Sequence, residues 1–121
     1  MPHPPSSSSV RIISLNRDEL LDRLRKIAAR LRAEHPEVTE VRLFGSLARG
    51  DQTGTSDVDV LVVLDQTDEQ DPHRRILTFL PYFELTRGAD ILVYTRAELA
   101  RRLSSQDRFV CRIWEEGVPL R

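Results

Sequence analysis

The first third of the chain carries apolar residues at helical spacing. Asn16 followed by Glu19 has the pattern of a capping box, so we expect a helix to begin there, and Pro36 ends the pattern. The apolar positions recur every three or four residues, at Leu20, Leu21, Leu24, Ile27, Ala28 and Leu31. This spacing predicts one helix whose apolar face packs into the core.

Three later segments have the composition of strands. Residues Val38–Phe44 alternate between apolar and polar and are cut off by a Gly-Ser pair, and Ala89–Tyr94 form another short apolar run. Residues Val58–Leu64 are apolar almost throughout beyond Asp59, which is typical of a strand that is covered on both faces. We therefore expect three strands.

Two helices are predicted around the second strand. A short one follows Ser46 and leads into an exit loop over Gly50–Gly54. Another begins at Asp71-Pro72, because an N-cap carboxylate followed by proline at the first helical position is a common helix start. Pro81 must end or kink this helix, since proline cannot donate a backbone hydrogen bond.

The last quarter of the chain predicts two more helices. Thr95 with Glu98 forms a second capping box, for a helix through Leu103. The final helix should end at Gly117, in the position of a left-handed C′ glycine, and should bury Cys111. Its apolar stripe, interpreted as core, consists of Phe109, Val110, Ile113 and Trp114.

The order of these elements predicts a small α/β (α+β) fold with a mixed sheet of about three strands flanked by helices. A chain of 121 residues is long enough for one domain and short for two. Residues 1–9 are rich in proline and serine, so we expect a disordered tail there and a single domain over residues 10–121.

Composition narrows the class of protein. The net charge of −1 removes the overall attraction that general nucleic-acid binding needs. The single cysteine, the lack of a signal peptide and the lack of a membrane span favour a cytoplasmic protein. Lys26 is the only lysine among 18 basic residues, which indicates either codon bias or a demand for the bidentate contacts of arginine, at a partner interface for example.

Candidate chemistry begins with carboxylates at the starts of two strands. Asp57 and Asp59 are two residues apart, so strand periodicity directs both to one face, and Asp90 opens the third strand in the same way. Adjacent carboxylates repel one another unless a cation neutralises them, and Mg²⁺ prefers such oxygen ligands. If the two strands are neighbours, three carboxylates can hold two ions about 3.5–4 Å apart. Asp51 and Asp65 are better interpreted as solvated.

A second candidate feature lies where the first strand turns into a helix. Gly45 allows close backbone approach and Ser46 adds a hydroxyl donor, at a turn suited to binding phosphate. Arg49, one turn further on, could reach the same anion or could serve only at the surface. Alone, a Gly-Ser pair is usually a turn.

These residues combine into one motif. Gly45-Ser46, ten intervening residues and then Asp57-Val58-Asp59 match the G-S-x10-D-x-D signature of the polymerase beta nucleotidyltransferase superfamily. The flanking segments Leu43–Gly50 and Ser56–Val62 resemble the minimal nucleotidyltransferases, the short stand-alone members of that superfamily, and the closing Phe109–Pro119 segment is also similar.

The resemblance implies a polymerase-beta-like nucleotidyltransferase fold and transfer of a nucleoside monophosphate with release of pyrophosphate. It implies that Asp57 and Asp59 hold two Mg²⁺ ions, that Asp90 completes the shell of the catalytic ion, and that Gly45 and Ser46 hold the phosphates of ATP.

The resemblance also implies an acceptor. Minimal nucleotidyltransferases act as antitoxins in HEPN/MNT toxin–antitoxin pairs, in which the enzyme adenylylates a tyrosine of the HEPN ribonuclease. We therefore expect a HEPN-domain toxin as partner, with ATP as donor and a hetero-oligomer as the assembly. Three alternatives stay open: an antitoxin that acts by binding alone, a small-molecule nucleotidyltransferase of the aminoglycoside-modifying kind, and a nucleic-acid polymerase.

Overall fold

The structure, a computed structural model, describes residues 5–50, 58–83 and 88–121, with side chains from residue 17 onward in the first helix. This part of the chain contains five α-helices and four strands. The helices are α1 (Pro5–Glu34), α2 (Gly45–Arg49), α3 (Pro72–Phe79), α4 (Arg96–Ser104) and α5 (Arg108–Glu116). The strands are β1 (Val38–Phe44), β2 (Val58–Leu64), β3 (Ala89–Thr95) and β4 (Val118–Pro119), and a 3₁₀ turn over Leu80–Phe83 follows α3.

The four strands form one mixed sheet in the order β3-β2-β1-β4. Strand β1 pairs antiparallel with both β2 and β4, whereas β2 and β3 are parallel. The predicted α/β class with a mixed sheet is confirmed. The extra strand β4 has only two residues, too few for a period-2 pattern to show in the sequence.

The two faces of the sheet bury different clusters. One face packs against α1, α3 and the 3₁₀ turn, and its apolar strand residues are Val38, Val41, Leu43, Val58, Val60, Val62, Leu64, Ile91 and Val93. The other face packs against α4 and α5 through a smaller cluster of Phe44, Leu61, Val63, Leu99, Val110 and Ile113. Strand β2 is thus covered on both faces, as its apolar sequence predicts.

Most helix boundaries agree with the sequence, with one exception at the start. Asp71 caps α3 by accepting from the His73 N–H, and Thr95 with Glu98 forms the predicted capping box of α4. Helix α1, however, begins at Pro5, so the predicted start at Asn16 is wrong, and the helix includes Pro5–Ser9 of the expected tail. Proline is tolerated at the first helical position, because its missing N–H has no partner there.

Helix α5 differs from prediction at its end and in its apolar stripe. Gly117 has φ −66° and ψ 145°, so it is extended and not a left-handed C′ glycine. Its glycine is explained by crowding instead, since an added Cβ would lie 2.6 Å from the Ile113 carbonyl oxygen. Phe109 is 56% exposed, so the prediction that it is a core residue is wrong. Cys111 is half-buried rather than buried, and Trp114 is half-buried and packs against the smaller cluster.

Every helix within residues 5–50, 58–83 and 88–121 is too short or too polar to span a lipid bilayer.

Candidate active site

The sheet brings two of the predicted carboxylates together. Strands β2 and β3 are parallel neighbours, and Asp59 is the register partner of Asp90. Because paired residues of adjacent strands point to the same side, both side chains lie on the sheet face that α4 and α5 cover. Asp59 is half-buried and Asp90 is exposed. We predicted that the carboxylates could meet only if their strands were neighbours, and Asp59 and Asp90 satisfy this requirement.

The other predicted carboxylates lie elsewhere. Asp57 and Asp51 fall in residues 51–57, outside the described residues, so the placement of Asp57 beside Asp59 stays a prediction. Asp65 lies just beyond the opposite end of β2, where it is exposed and forms a 3.5 Å ion pair with Arg96. Its interpretation as a solvated surface residue agrees with this position.

The turn from β1 into α2 lies directly against the Asp59 carboxylate. Gly45 has φ +77°, in the left-handed region that favours glycine. A Cβ built at Gly45 would overlap the nearer carboxylate oxygen of Asp59 and would lie 3.0 Å from its Cγ. Glycine is therefore required both by backbone conformation and by the close approach to Asp59. Ser46, the second residue of α2, is half-buried beside it.

These residues line an open cavity of about 490 Å³. The sheet contributes Asp59 and Asp90, α2 contributes Gly45 and Arg49, and α5 contributes one side through Phe109, Arg112, Ile113 and Glu116. The volume falls within the range of about 300–1,000 Å³ usual for small-molecule sites. The cavity thus combines two of the three predicted metal ligands, Asp59 and Asp90, with Gly45 of the predicted phosphate-binding turn.

The charges of the cavity are arranged by α2 and α5. Arg49 Nη1 lies 3.1 Å from Glu116 Oε2, and Arg112 Nε lies 3.8 Å from Glu116 Oε1. Arginines from two helices therefore border a cavity that also holds Asp59 and Asp90. A polyphosphate with a bound divalent cation suits this combination of charges, because the carboxylates can hold the cation and the arginines can hold phosphate oxygens.

Sequence reasoning missed Phe109 and Glu116 as parts of the site. Phe109 packs edge-on against Phe44, with ring centroids 6.5 Å apart, at the side of the cavity. The signal that could have found them is helical spacing: Phe109 with Ile113, and Arg112 with Glu116, are pairs four residues apart on α5.

A buried arginine holds β3 and α4 together behind the site. Arg75 is 3% exposed, donates to Glu98 Oε1 at 2.6 Å, and also donates to the backbone oxygen of Glu69 and, at 3.4 Å, to that of Val93. The hydrogen bond from Arg75 holds the pKa of Glu98 below its usual value, against the opposing effect of burial. The hydrogen bond to Val93 ties α3 to β3, the strand that carries Asp90, and the hydrogen bond to Glu98 ties α3 to α4.

The described donors fit a hard divalent cation. Asp59 and Asp90 supply carboxylate oxygens in register, and Gly45 leaves space above Asp59 that any side chain would fill. No cluster of three ligating side chains occurs among the residues that the structure places, and the third predicted ligand, Asp57, lies outside them.

This chain is similar to known proteins over most of its length. The family model described as "Nucleotidyltransferase domain" matches residues 24–120. A protein of Methanocaldococcus jannaschii named "Putative protein adenylyltransferase" is 30% identical over 100 residues, which cover 83% of this chain and 92% of that protein. The crystal structure of "a putative nucleotidyltransferase" from Sulfolobus solfataricus is 28% identical and superimposes with a TM-score of 0.59, covering 71% of this chain and 76% of that chain.

Proposed function

Because this chain belongs to the nucleotidyltransferase domain family, we propose that it is a Mg²⁺-dependent protein adenylyltransferase that uses ATP as donor. One observation carries the proposal: Asp59 lies directly against Gly45 and is the register partner of Asp90, at an open cavity that arginines border. Carboxylates that hold cations next to a phosphate-binding turn are what transfer of a nucleotidyl group requires.

The residues of the cavity divide the work of the reaction. Asp59 and Asp90, with Asp57, would hold the cations, while Gly45 and Ser46 would bind the β- and γ-phosphates. Bound divalent ions supply charge neutralisation of the triphosphate and lower the pKa of the acceptor hydroxyl. The acceptor oxygen forms a bond to the α-phosphorus, the bond from that phosphorus to the bridging oxygen breaks, and pyrophosphate leaves. The acceptor proton passes to solvent.

The shape of the site supports a protein as acceptor. Asp90, Phe109 and Arg112 are all exposed at the cavity, so a partner can present its own side chain there. The relative from Methanocaldococcus jannaschii carries the name of a protein adenylyltransferase. We propose a HEPN-domain ribonuclease as the partner and one of its tyrosines as the acceptor, so that the chain acts as a catalytic antitoxin in the cytoplasm.

The test uses the chain with ATP, Mg²⁺ and the protein encoded by the adjacent reading frame, for which we expect a HEPN domain. We expect one AMP increment on a partner tyrosine by mass spectrometry, and loss of toxicity. Asp59→Asn should lower the transfer rate about 1,000-fold, since metal-held charge contributes several kcal/mol to such a step. The matched control, Asp65→Asn at the opposite end of β2, should leave the rate unchanged.

Two results would contradict the proposal. Absence of any nucleotide on the partner would exclude adenylyl transfer to it. Rescue from toxicity that survives loss of both Asp57 and Asp59 would show that the chain neutralises its partner by binding alone.

A further inference from the structure

Helix α2 is too short to stabilise itself. It has five residues, and the first turn of a helix fixes several dihedral angles for a single hydrogen bond. Phe44 at its N-cap provides no side-chain hydrogen bond. The position of Gly45 against Asp59 must therefore be fixed by contacts from outside α2.

One such contact comes from α1. Arg17 donates to the Leu47 backbone oxygen through both Nε, at 3.3 Å, and Nη2, at 3.1 Å. The preceding carbonyl, that of Ser46, accepts from the Gly50 N–H at 2.9 Å. Two successive carbonyls of α2 are thus bonded, and the one in the middle of the helix is held by a charged fork from a residue 30 positions earlier.

Arg17 lies before the region that the family model matches, which begins at residue 24. The helix turn that carries Arg17 reaches the element that starts with Gly45 and Ser46. Leu47 itself is buried, so the carbonyl is anchored on one side by core packing and on the other by the guanidinium.

We propose that Arg17 is a positioning residue for the nucleotide site. By holding the Leu47 carbonyl it fixes α2, and α2 fixes Gly45 and Ser46 relative to Asp59. This inference rests on the proposed function, because the group positioned is the phosphate-binding turn. Arg17 touches no substrate in this arrangement and acts only through the backbone of α2.

The test compares three variants of the full chain. Arg17→Met removes the donors and keeps most of the aliphatic stem, Arg17→Lys keeps the charge but loses the two-nitrogen fork, and Arg23→Met makes the same change at an exposed position of the same helix. Each is measured for melting temperature, for amide exchange of Gly50, and for the Kd of Mg·ATP by calorimetry.

We expect Arg17→Met to accelerate Gly50 exchange and to raise the Kd about tenfold, which is below the ~100-fold that a 1 Å misplacement can cost in an enzyme. Arg17→Lys should lie between, Arg23→Met should match the wild type, and added guanidinium should partly restore binding to Arg17→Met. If Arg17 had only a structural role, Arg17→Met would lower the melting temperature, and the Kd measured well below that temperature would be unchanged.

Three outcomes would overturn the inference: unchanged exchange and Kd in Arg17→Met, equal effects in Arg23→Met, or a Kd change that guanidinium does not reverse and that tracks the melting temperature. Failure of the wild type to bind any Mg·nucleotide would instead contradict the proposed function. In that case Gly50 exchange alone decides whether Arg17 holds α2.

Discussion

The two faces of the sheet use the same strands for different purposes. On the face toward α1 and α3, Val58, Val60 and Val62 of β2 are fully buried in the larger apolar cluster. On the face toward α4 and α5, Leu61 and Val63 belong to the smaller cluster, and Asp59 stands at its end beside the open cavity. Alternate residues of one strand therefore serve the core and the candidate site.

The difference explains how the sheet tolerates two carboxylates in register. Like charges on neighbouring strands destabilise a sheet. Val58 and Val60 flank Asp59 in the sequence, and Ile91 follows Asp90, and all three are buried on the opposite face. Burial of large apolar side chains contributes about 1.5–3 kcal/mol each, which exceeds the repulsion expected of one exposed pair. The face toward α1 and α3, here called the closed face, thus fixes the positions of the strands. The face toward α4 and α5, the open face, carries the two carboxylates on those strands.

Removal of the Asp90 carboxylate should have the largest effect on activity, and it should change stability in the opposite direction. We expect Asp90→Asn to lower the transfer rate about 1,000-fold, because an ion-holding carboxylate is lost. The same change should raise the free energy of unfolding without Mg²⁺ by up to about 1 kcal/mol, because Asp59 loses its like-charged neighbour. Single-turnover kinetics and denaturant unfolding measure the two effects.

The matched control for Asp90 is Asp68→Asn, in the exposed loop after β2, which should change neither quantity. Full activity in Asp90→Asn would show that Asp90 is not the third carboxylate of the site.

A truncation on the closed face should have the opposite signature. Leu24 of α1 is fully buried in the larger cluster, so Leu24→Ala should lower the free energy of unfolding by about 3 kcal/mol. At a temperature where the variant stays folded, its transfer rate should equal that of the wild type. Leu77→Ala, at a position 68% exposed on α3, should change stability by less than about 0.5 kcal/mol. Loss of activity in folded Leu24→Ala would contradict the division of labour between the faces.

Part of the closed face could be predicted from the sequence. Helical spacing identifies Leu24, Ala28 and Leu31, and a continuous apolar run identifies β2, because burial on this face depends only on periodicity. The open face was predicted in part. The juxtaposition of Asp59 with Asp90 required only that their strands be neighbours, and it is observed.

The parts of the site that were missed depend on tertiary contacts. The apolar stripe of α5 is only partly covered by the sheet, since Val110 is buried whereas Phe109 is exposed at the cavity. Likewise, the sequence shows an excess of arginine but not its use. Arg32 donates to the Leu120 oxygen, Arg42 to the Gly117 oxygen, and Arg17 and Arg75 to other backbone oxygens.

These hydrogen bonds bear on whether codon bias or a demand for bidentate contacts explains the excess of arginine over lysine. Each of these guanidinium groups joins two different elements through a backbone carbonyl, and Arg17 and Arg75 each do so with more than one nitrogen. A lysine has a single ammonium group and cannot supply the same planar fork. A demand for such contacts therefore accounts for part of the arginine content inside the domain.

The contact between Arg75 and Glu98, at the margin between the faces, should make stability depend on pH. Glu98 has a lowered pKa in the folded protein because Arg75 donates to it, so the contact stabilises above the unfolded value near 4.5 and is lost as pH falls through the folded pKa. At pH 7, Glu98→Gln should lower the free energy of unfolding by about 2 kcal/mol, typical of a charged hydrogen bond.

The difference between wild type and Glu98→Gln should shrink as pH falls below the unfolded value near 4.5 and through the folded pKa of Glu98, as measured by urea unfolding at a series of pH values. Glu115→Gln, an exposed position on α5, serves as the control. A difference that does not shrink as Glu98 becomes protonated would exclude the ion pair as its cause.

Phe109 gives the smallest effect and the most direct comparison with Leu24. Both are large apolar side chains, but Phe109 is 56% exposed at the cavity and packs edge-on against the ring of Phe44. Phe109→Ala should therefore lower the free energy of unfolding by about 1 kcal/mol or less. It should weaken nucleotide binding by a few fold, at the lower end of the ~1–3 kcal/mol that a base–aromatic contact contributes. Calorimetric titration with Mg·ATP measures the second effect, and Phe109→Leu separates loss of the ring from loss of bulk. A large loss of stability with unchanged binding would place Phe109 in the core and exclude it as part of the nucleotide site.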